Sequence, residues 1–400
     1  MYRIAVSLLL MTVPAAAAEA DALAISANIQ ARHQPFGTIL DPFLDHNGNV
    51  TGYTRCGDSA IWTGHYLAAE AFRYSATRQP EALVNVIGAM VGIRTLVDVT
   101  GNNSLARCVV LKDSPFAAGI LQEESHHKIG EGTCLGRPCN WVGNTSRDQY
   151  VGVFFGLMVT WEVIGDPGLR ESAKQLMTRL LDRLLDDDWA IKDRDGDTST
   201  VFWFRPDQKL NLLAIGAKVN NGQFGSKYGW QRFLEGGLTG APIAAEVADP
   251  HNSYFKFNLD ALTFYHLVRL EGNRTYKGWY TDAYRTLRRT LDDHGNAHFN
   301  MIDRAIQGAD ARRDAETRRL LEEWLQRPRR DEAVDLRGAY RSCWEEDRAC
   351  DPIPVPQRVR TDFLWQRSPF LLYGGGIGNI EGAGIDYILP YWMARYYGVL

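Results

Sequence analysis

Three aspartates stand where a polar or glycine-rich segment runs into a helical pattern, and carboxylates at such points can do acid–base chemistry. Asp58 follows Cys56 and Gly57, Asp148 follows the run 144–147, and Asp386 follows the run 382–385. The simplest alternative role for each is to cap the helix that it precedes, since a cap needs only a side-chain oxygen. If the three converge, two carboxylates flanking a glycosidic bond can act as acid and base, or as acid and nucleophile. We therefore predict these three aspartates as catalytic.

Side chains suited to holding a sugar surround these aspartates in the sequence. Aromatic faces stack on the C–H faces of sugars, while arginine, asparagine, histidine and carboxylate groups bond hydroxyls. The alternative for the aromatic and histidine residues is an ordinary place in the core. The predicted substrate-binding residues are Trp62, His65, Arg147, Tyr150, His251, Asn252, Tyr254, Trp365, Arg367 and Glu381.

Helices must position these residues, because apolar residues recur with helical spacing along most of the chain. The predicted helices are 60–75, 80–99, 148–164, 169–185, 259–270, 276–291, 311–325 and 386–397. Several are joined by short turns in which an apolar helix end is followed by Gly and then Asn or Asp, as at 101–102 and 272–273. Such short turns predict antiparallel neighbours. Only 201–204 reads as a possible short strand.

The other ends of these hairpins are long, glycine-rich and aromatic, at 47–57, 130–146, 236–254 and 374–384. Long loops in compact domains usually carry function. A ring of hairpins with its long loops at one mouth would gather them around a single cleft.

This succession of helical hairpins, with short turns at one end and long loops at the other, resembles the six-hairpin (α/α)6 toroid superfamily of glycoside hydrolases, polysaccharide lyases and sugar epimerases. The segment 62–69 (WTGHYLAA) is similar to an inner helix of that group, and 193–198 (DRDGDT) is similar to its Asp-Gly-x-x-Thr loops, with Thr one place earlier. The resemblance implies an all-α toroid, a single catalytic domain over 21–400 and a carbohydrate substrate. Because that superfamily spans several reactions, the fold leaves the activity open.

Three functions are compatible with these residues. The leading hypothesis is hydrolysis of oligo- or polysaccharides by a carboxylate acid/base mechanism. A polysaccharide lyase acting by β-elimination on uronic-acid glycans is the nearest alternative, with His251, Asn252, Tyr254 and Arg147 as its base and carboxylate-neutralising groups. A non-catalytic glycan-binding envelope protein is the third.

No cofactor is expected, and calcium at Asp193, Asp195 and Asp197 is the exception that the sequence leaves open. These acids alternate along a turn, but Gly196 falls between the second and third, out of place for an EF-hand loop. No metal is predicted elsewhere. Cys-x-x-Cys pairs are absent from the sequence, and the adjacent His126 and His127 would not share a helix face.

Composition and the N-terminus indicate an exported soluble protein. The chain has 400 residues, 45% hydrophobic and 23% charged, and its formal charge of −4 gives no reason to expect a nucleic-acid partner. Arg3, the apolar run 4–13 and the small residues 16–20 are typical of a signal peptide over 1–20, which predicts a periplasmic or secreted protein with no stable membrane span after cleavage.

The six cysteines fit an oxidising compartment. Cys134 with Cys139 and Cys343 with Cys350 would make local loop staples, leaving Cys56 to pair with Cys108. Fifteen pairings are possible for six cysteines, so proximity makes this the preferred pairing and does not exclude the others.

Overall fold

The protein is mostly helical in the computed structural model, which describes residues 15–249, 254–343, 345–358 and 362–400. Predicted helices correspond to observed ones with ends shifted by a few residues, and the helices at 15–28, 117–123, 206–219, 221–235, 240–246 and 297–307 were not predicted. The helices are α1 (Ala15–Asn28), α2 (Ser59–Thr77), α3 (Pro80–Asp98), α4 (Ala117–Glu123), α5 (Arg147–Val163), α6 (Pro167–Asp186), α7 (Pro206–Val219), α8 (Asn221–Glu235), α9 (Gly240–Glu246), α10 (Tyr254–Leu270), α11 (Arg274–Leu291), α12 (Ala297–Gln307), α13 (Ala311–Leu325) and α14 (Ile385–Tyr396).

A set of inner helices carries most of the core. Helices α2, α5, α7, α10 and α14 are buried around almost their whole circumference, as is the first half of α12. Each of the six contacts the next along the chain, and α14 returns to contact α2. Helices α3, α6, α8, α11 and α13 each pack beside the inner helix that precedes them and keep a polar face outward.

Glycines let α2 and α5 approach until their backbones touch. A Cβ atom built on Gly64 would lie 2.1 Å from the carbonyl oxygen of Gly152, and one on Gly156 would lie 2.2 Å from the carbonyl oxygen of Gly64. No side chain fits at either point. This close crossing brings the N-terminal ends of the two helices, and with them Asp58 and Asp148, to one region.

Small antiparallel sheets occupy the long loops, so the prediction of an all-α chain is correct only for its helical majority. The loop at 130–146 forms a hairpin of β4 and β5, whose turn residues Leu135 and Gly136 both have positive φ, 52° and 79°. Short strands of this kind lack the alternation that identifies a strand in sequence. The strands are β1 (Asp41–Leu44), β2 (Val50–Thr54), β3 (Cys108–Leu111), β4 (Ile129–Cys134), β5 (Arg137–Val142), β6 (Ala190–Lys192), β7 (Thr198–Val201), β8 (Val334–Asp335) and β9 (Tyr373–Gly374).

The predicted strand at 201–204 is displaced. Strand β7 ends at Val201 after pairing with β6, and Phe202 turns the chain toward α7. Proline at position 206 cannot donate a ladder hydrogen bond and instead opens the helix.

Three disulfides join Cys56 to Cys108, Cys134 to Cys139 and Cys343 to Cys350, which confirms the preferred pairing. They are consistent with an oxidising compartment. Of the predicted signal peptide, residues 1–14 lie outside the described residues and 15–20 belong to α1. Among the described helices, α3 alone is long and apolar enough to cross a bilayer by length and composition, and half of its apolar window is buried inside the protein.

Candidate functional site

Asp58 and Asp148, the carboxylate pair, lie together at the N-terminal ends of α2 and α5. The amide nitrogen of Gln149 is 3.3 Å from Asp58 Oδ1 and 3.5 Å from Asp148 Oδ2, while its oxygen accepts the N–H of Ile61 at 2.9 Å. Since both oxygens lie on one nitrogen, they are no more than about 7 Å apart, an upper limit that admits the separation of about 5–5.5 Å used by retaining glycosidases.

Neither carboxylate makes a hydrogen bond that caps a helix. Asp58 occupies the N-cap position of α2 without a side-chain capping bond, and the N-cap of α5 is Ser146, which makes none either. Among the described residues, Asp148 Oδ1 is buried without a hydrogen-bond partner. A buried acceptor left unpaired is costly in a protein interior. The unpaired Oδ1 leaves the Asp148 carboxylate only partly satisfied beside Asp58.

The two carboxylates have different surroundings, and burial raises the pKa of Asp58 to about 6. The negative charge of Asp148 adds to this rise, Arg107 and Arg55 oppose it, and Glu124 reinforces it. A carboxyl group that keeps its proton near neutral pH beside a second carboxylate is the usual arrangement of a general acid with its partner.

Arg107 ties together the two loops that carry the pair. Its Nη1 donates to the carbonyl of Gly57 at 2.8 Å, its Nε to the carbonyl of Asn144 at 3.0 Å, and its Nη2 to Ser146 Oγ at 3.0 Å. Gly57 directly precedes Asp58, and Ser146 lies two residues before Asp148. This one guanidinium therefore sets the spacing between the loops that precede α2 and α5.

Three predicted binding residues form an aromatic cluster one turn farther along α2. The ring of Trp62 lies 4.8 Å from Phe363 and 6.4 Å from Trp365, and His65 lies 5.1 Å from Trp365. Asn258 connects His65 to His298, with 3.2 Å to each Nε2. Burial lowers the pKa of His65 to about 4, so its ring is neutral.

Arg147 and the two tyrosines are held inside the protein. Arg147 donates to the carbonyl of Val201 at 2.8 Å and lies in the field of Asp148. Tyr150 accepts the N–H of Leu105, and Tyr254 packs against His294 at 5.7 Å between ring centres. Burial raises the pKa of each tyrosine to about 12.

Asp386 lies in a separate ion-paired cluster. It accepts hydrogen bonds from Arg327 at 3.2 Å and from the N–H of Leu364 at 2.9 Å. It lines a small pocket together with Asp362, which Arg55 reaches at 2.9 Å. Arg55 also acts on Asp58, so Arg55 and Asp362 connect this cluster to the carboxylate pair.

The remaining predicted residues fall on either side of that cluster. Arg367 pairs with Asp362. Glu381 binds Asn28 at 2.8 Å and approaches His33 at 3.6 Å. Burial alone would raise the pKa of Glu381, but the bonds from His33 and Asn28 lower it to about 2. His251 and Asn252 lie outside the described residues.

At the acidic turn considered for calcium, a lysine supplies positive charge. Lys128 Nζ lies 2.8 Å from Asp195, 3.7 Å from Asp197 and 3.9 Å from Asp193. Asp193 Oδ1 accepts the N–H groups of Asp195 and Asp197, which closes the turn. Calcium at this turn remains a prediction.

Three residues around the carboxylate pair were not predicted from the sequence: Gln149, Arg107 and Arg55. Gln149 adjoins Asp148, and Arg107 precedes the cysteine that pairs with Cys56, so the preferred disulfide already placed Arg107 near Asp58. A second buried ion cluster was missed as well: Arg205 binds Asp207 with two nitrogens and also pairs with Glu246 and Asp260.

Comparison with known proteins finds no protein-family model and no curated protein that matches the chain. Among solved structures, it is similar to a crystal structure of a sugar epimerase from a ruminal bacterium, at 10% identity over 96% of this chain and 98% of that chain, with a TM-score of 0.47. A likeness this distant carries no argument about activity, which must come from the residues of the site.

Proposed function

We propose that the protein is an exported enzyme that hydrolyses glycosidic bonds, with Asp58 as general acid and Asp148 as its partner carboxylate. The carrying observation is the pairing of a carboxyl group whose pKa is about 6 with a second carboxylate within about 7 Å, one of whose oxygens is buried and unpartnered. The sequential contacts of the inner helices support an (α/α)6 ring as the scaffold.

The chemistry follows from the two environments. Protonated Asp58 gives its proton to the oxygen of the leaving sugar as the bond to the anomeric carbon breaks. The carboxylate of Asp148 either attacks that carbon or removes a proton from an attacking water, and it stabilises the oxocarbenium-like transition state. Activity should therefore fall as pH rises through about 6, because Asp58 then loses the proton that it must donate.

An oligo- or polysaccharide is the proposed substrate because the pair adjoins a cluster of aromatic rings. Phe255 contributes a half-buried ring at 6.2 Å from Trp62, and the ring of Phe363 lies 4.8 Å from Trp62. In this proposal Asp386 is a positioning residue, since its bond to Leu364 holds the segment that carries Phe363 and Trp365. Exposed aromatic faces stack on sugar rings, and Phe255 is the ring of this cluster that could do so, since Trp62 and Phe363 are buried.

A lyase is less well supported by the described residues. Of its predicted groups, Tyr254 is fully buried with its pKa raised to about 12, so it holds its proton at neutral pH, and His251 lies outside the described residues. Arg147, the group expected to neutralise a uronic acid, is bonded to a backbone carbonyl.

A glycan-panel incubation with mass spectrometry tests the proposal. We expect products that gain one water per bond broken, and a loss of about 100-fold or more in kcat/KM for both Asp58→Asn and Asp148→Asn. Asp282→Asn, an exposed aspartate on α11, is the matched control and should retain full activity.

Three results would overturn the proposal. Full activity in both variants would remove the assigned acid and base. Products that lack the added water and absorb as unsaturated sugars would indicate a lyase. Tight glycan binding with no product would indicate a binding protein.

A further inference from the structure

A turn beside the carboxylate pair gathers three side chains of metal-binding type. One potential ligand atom each from Glu124, His126 and His127 lies within 4.8 Å of the others. The turn directly follows α4, and its two adjacent histidine rings have their centres 4.0 Å apart. The expectation that adjacent histidines point apart holds on a helix, and here the chain has already left the helix.

The carboxylate of Glu124 is fixed in place. Its Oε1 accepts the N–H of Gly57 at 2.8 Å, and its Oε2 lies 2.8 Å from Nδ1 of His127. The Glu124 residue is 3% exposed, whereas His127 is half-buried and His126 is exposed. The cluster therefore combines one rigid ligand with two that can adjust at the surface.

We propose that Glu124, His126 and His127 bind a divalent transition metal of the zinc class. Two imidazoles and one carboxylate are a ligand set that zinc accepts at about 2.0–2.2 Å, leaving a fourth position for water. The side chains need only small rotations, because the ligand atoms already lie within 4.8 Å. His126 is exposed, so such a rotation meets little resistance from packing.

The charges facing the cluster are mixed. Glu123, next in the chain, is engaged by Thr54 Oγ1 at 2.5 Å and by the N–H of Arg55 at 3.3 Å. Arg107 is the opposing cation, but its guanidinium is committed to Gly57, Asn144 and Ser146. The cysteines do not compete for zinc because the structure places all six in disulfides.

Calorimetric titration of the untagged, disulfide-intact protein with zinc chloride tests this site. We expect one zinc per chain, with affinity at least about tenfold lower in His126→Ala and in His127→Ala. His46→Ala is the matched control, an exposed histidine in the β1–β2 turn, and should bind zinc like the parent. Cobalt(II) in place of zinc should give the intense visible bands of a tetrahedral site in the parent and in this control, and lose them in both of the other histidine variants.

These measurements can either support or overturn the assigned zinc site. Absence of zinc binding, or unchanged affinity in both histidine variants, would overturn the assignment. An equal loss in His46→Ala would show adventitious surface binding, which also overturns it. Because His126 is exposed, its variant should fold, and binding is measured without any substrate, so the result stands apart from the proposed glycoside hydrolysis.

Discussion

At the scale of a single residue, the burial of Asp58 lowers the stability of the folded protein at neutral pH. Its position at the start of α2 would suit a capping role, yet its side chain makes no capping bond and faces Asp148 across Gln149. Burial and the neighbouring charge raise its pKa to about 6, so ionising it in the folded protein costs free energy. Strain of this kind is common where function requires a perturbed group.

Replacing Asp58 with asparagine should therefore stabilise the protein in a pH-dependent way. The folded pKa of about 6 lies above the unfolded value, so the unfolded chain loses this proton first and the free energy of unfolding falls between about pH 4 and pH 6. An asparagine side chain at this position cannot ionise. We expect Asp58→Asn to raise the free energy of unfolding by about 3 kcal/mol at pH 8 and to change it little at about pH 4.

Denaturant unfolding at the two pH values measures this difference. Asp282→Asn, on the exposed face of α11, should show no such pH dependence. A variant that is equally or less stable than the parent at the higher pH would contradict the assigned pKa of Asp58.

At the scale of elements, the crossing of α2 and α5 creates the site. Sequence periodicity was sufficient to find both helices, and the loop-to-helix position of each aspartate indicated a shared mouth. The distance between them depends on the contact of Gly64 with Gly152, which is tertiary and leaves no periodic signal. The bridging role of Gln149 was equally hidden, since it exists only when Ile61 of the other helix lies beside it.

Adding one methyl group at this crossing should disturb both stability and activity. The Cβ of Gly64→Ala would lie 2.1 Å from the carbonyl oxygen of Gly152, so the two helices must separate. We expect a loss of about 1–3 kcal/mol in unfolding free energy and a marked fall in kcat/KM, because Asp58 and Asp148 lie at the ends of these helices.

Gly88→Ala provides the control for that substitution. Gly88 lies on an exposed part of α3, with nothing within 4 Å of its built Cβ, so alanine should stabilise the helix by about 1 kcal/mol through its higher propensity. Unfolding curves and activity measured side by side separate the two cases. Parent-like stability in Gly64→Ala would mean that the helices are not in backbone contact.

At the scale of the whole molecule, a disulfide and the hydrogen bonds of Arg107 hold the long loops in place. The segment between β2 and α2 is bound through Cys56 to β3, and Arg107 extends that link to the loop before α5. The sequence predicted the disulfide from cysteine spacing alone. It did not predict the small sheets, because their strands are too short to show alternation and their pairing depends on the hairpin turns.

The Cys56–Cys108 bridge should therefore contribute to both stability and activity, whereas the Cys343–Cys350 bridge should contribute mainly to local order. The first closes a separation of 52 residues and the second one of 7. Loop-closure entropy then predicts a loss of about 4 kcal/mol for Cys56→Ala with Cys108→Ala, against about 2 kcal/mol for the pair Cys343→Ala and Cys350→Ala.

Activity separates the two variants further. Cys56 lies two residues before Asp58 and Cys108 directly follows Arg107, so cutting this bridge loosens the loop that presents the acid and the guanidinium that spaces it. We expect kcat/KM to fall strongly in the first variant at temperatures where it remains folded by circular dichroism, and to change little in the second. Equal losses of activity in the two variants would show that the bridge beside Asp58 has no special part in holding the carboxylate pair.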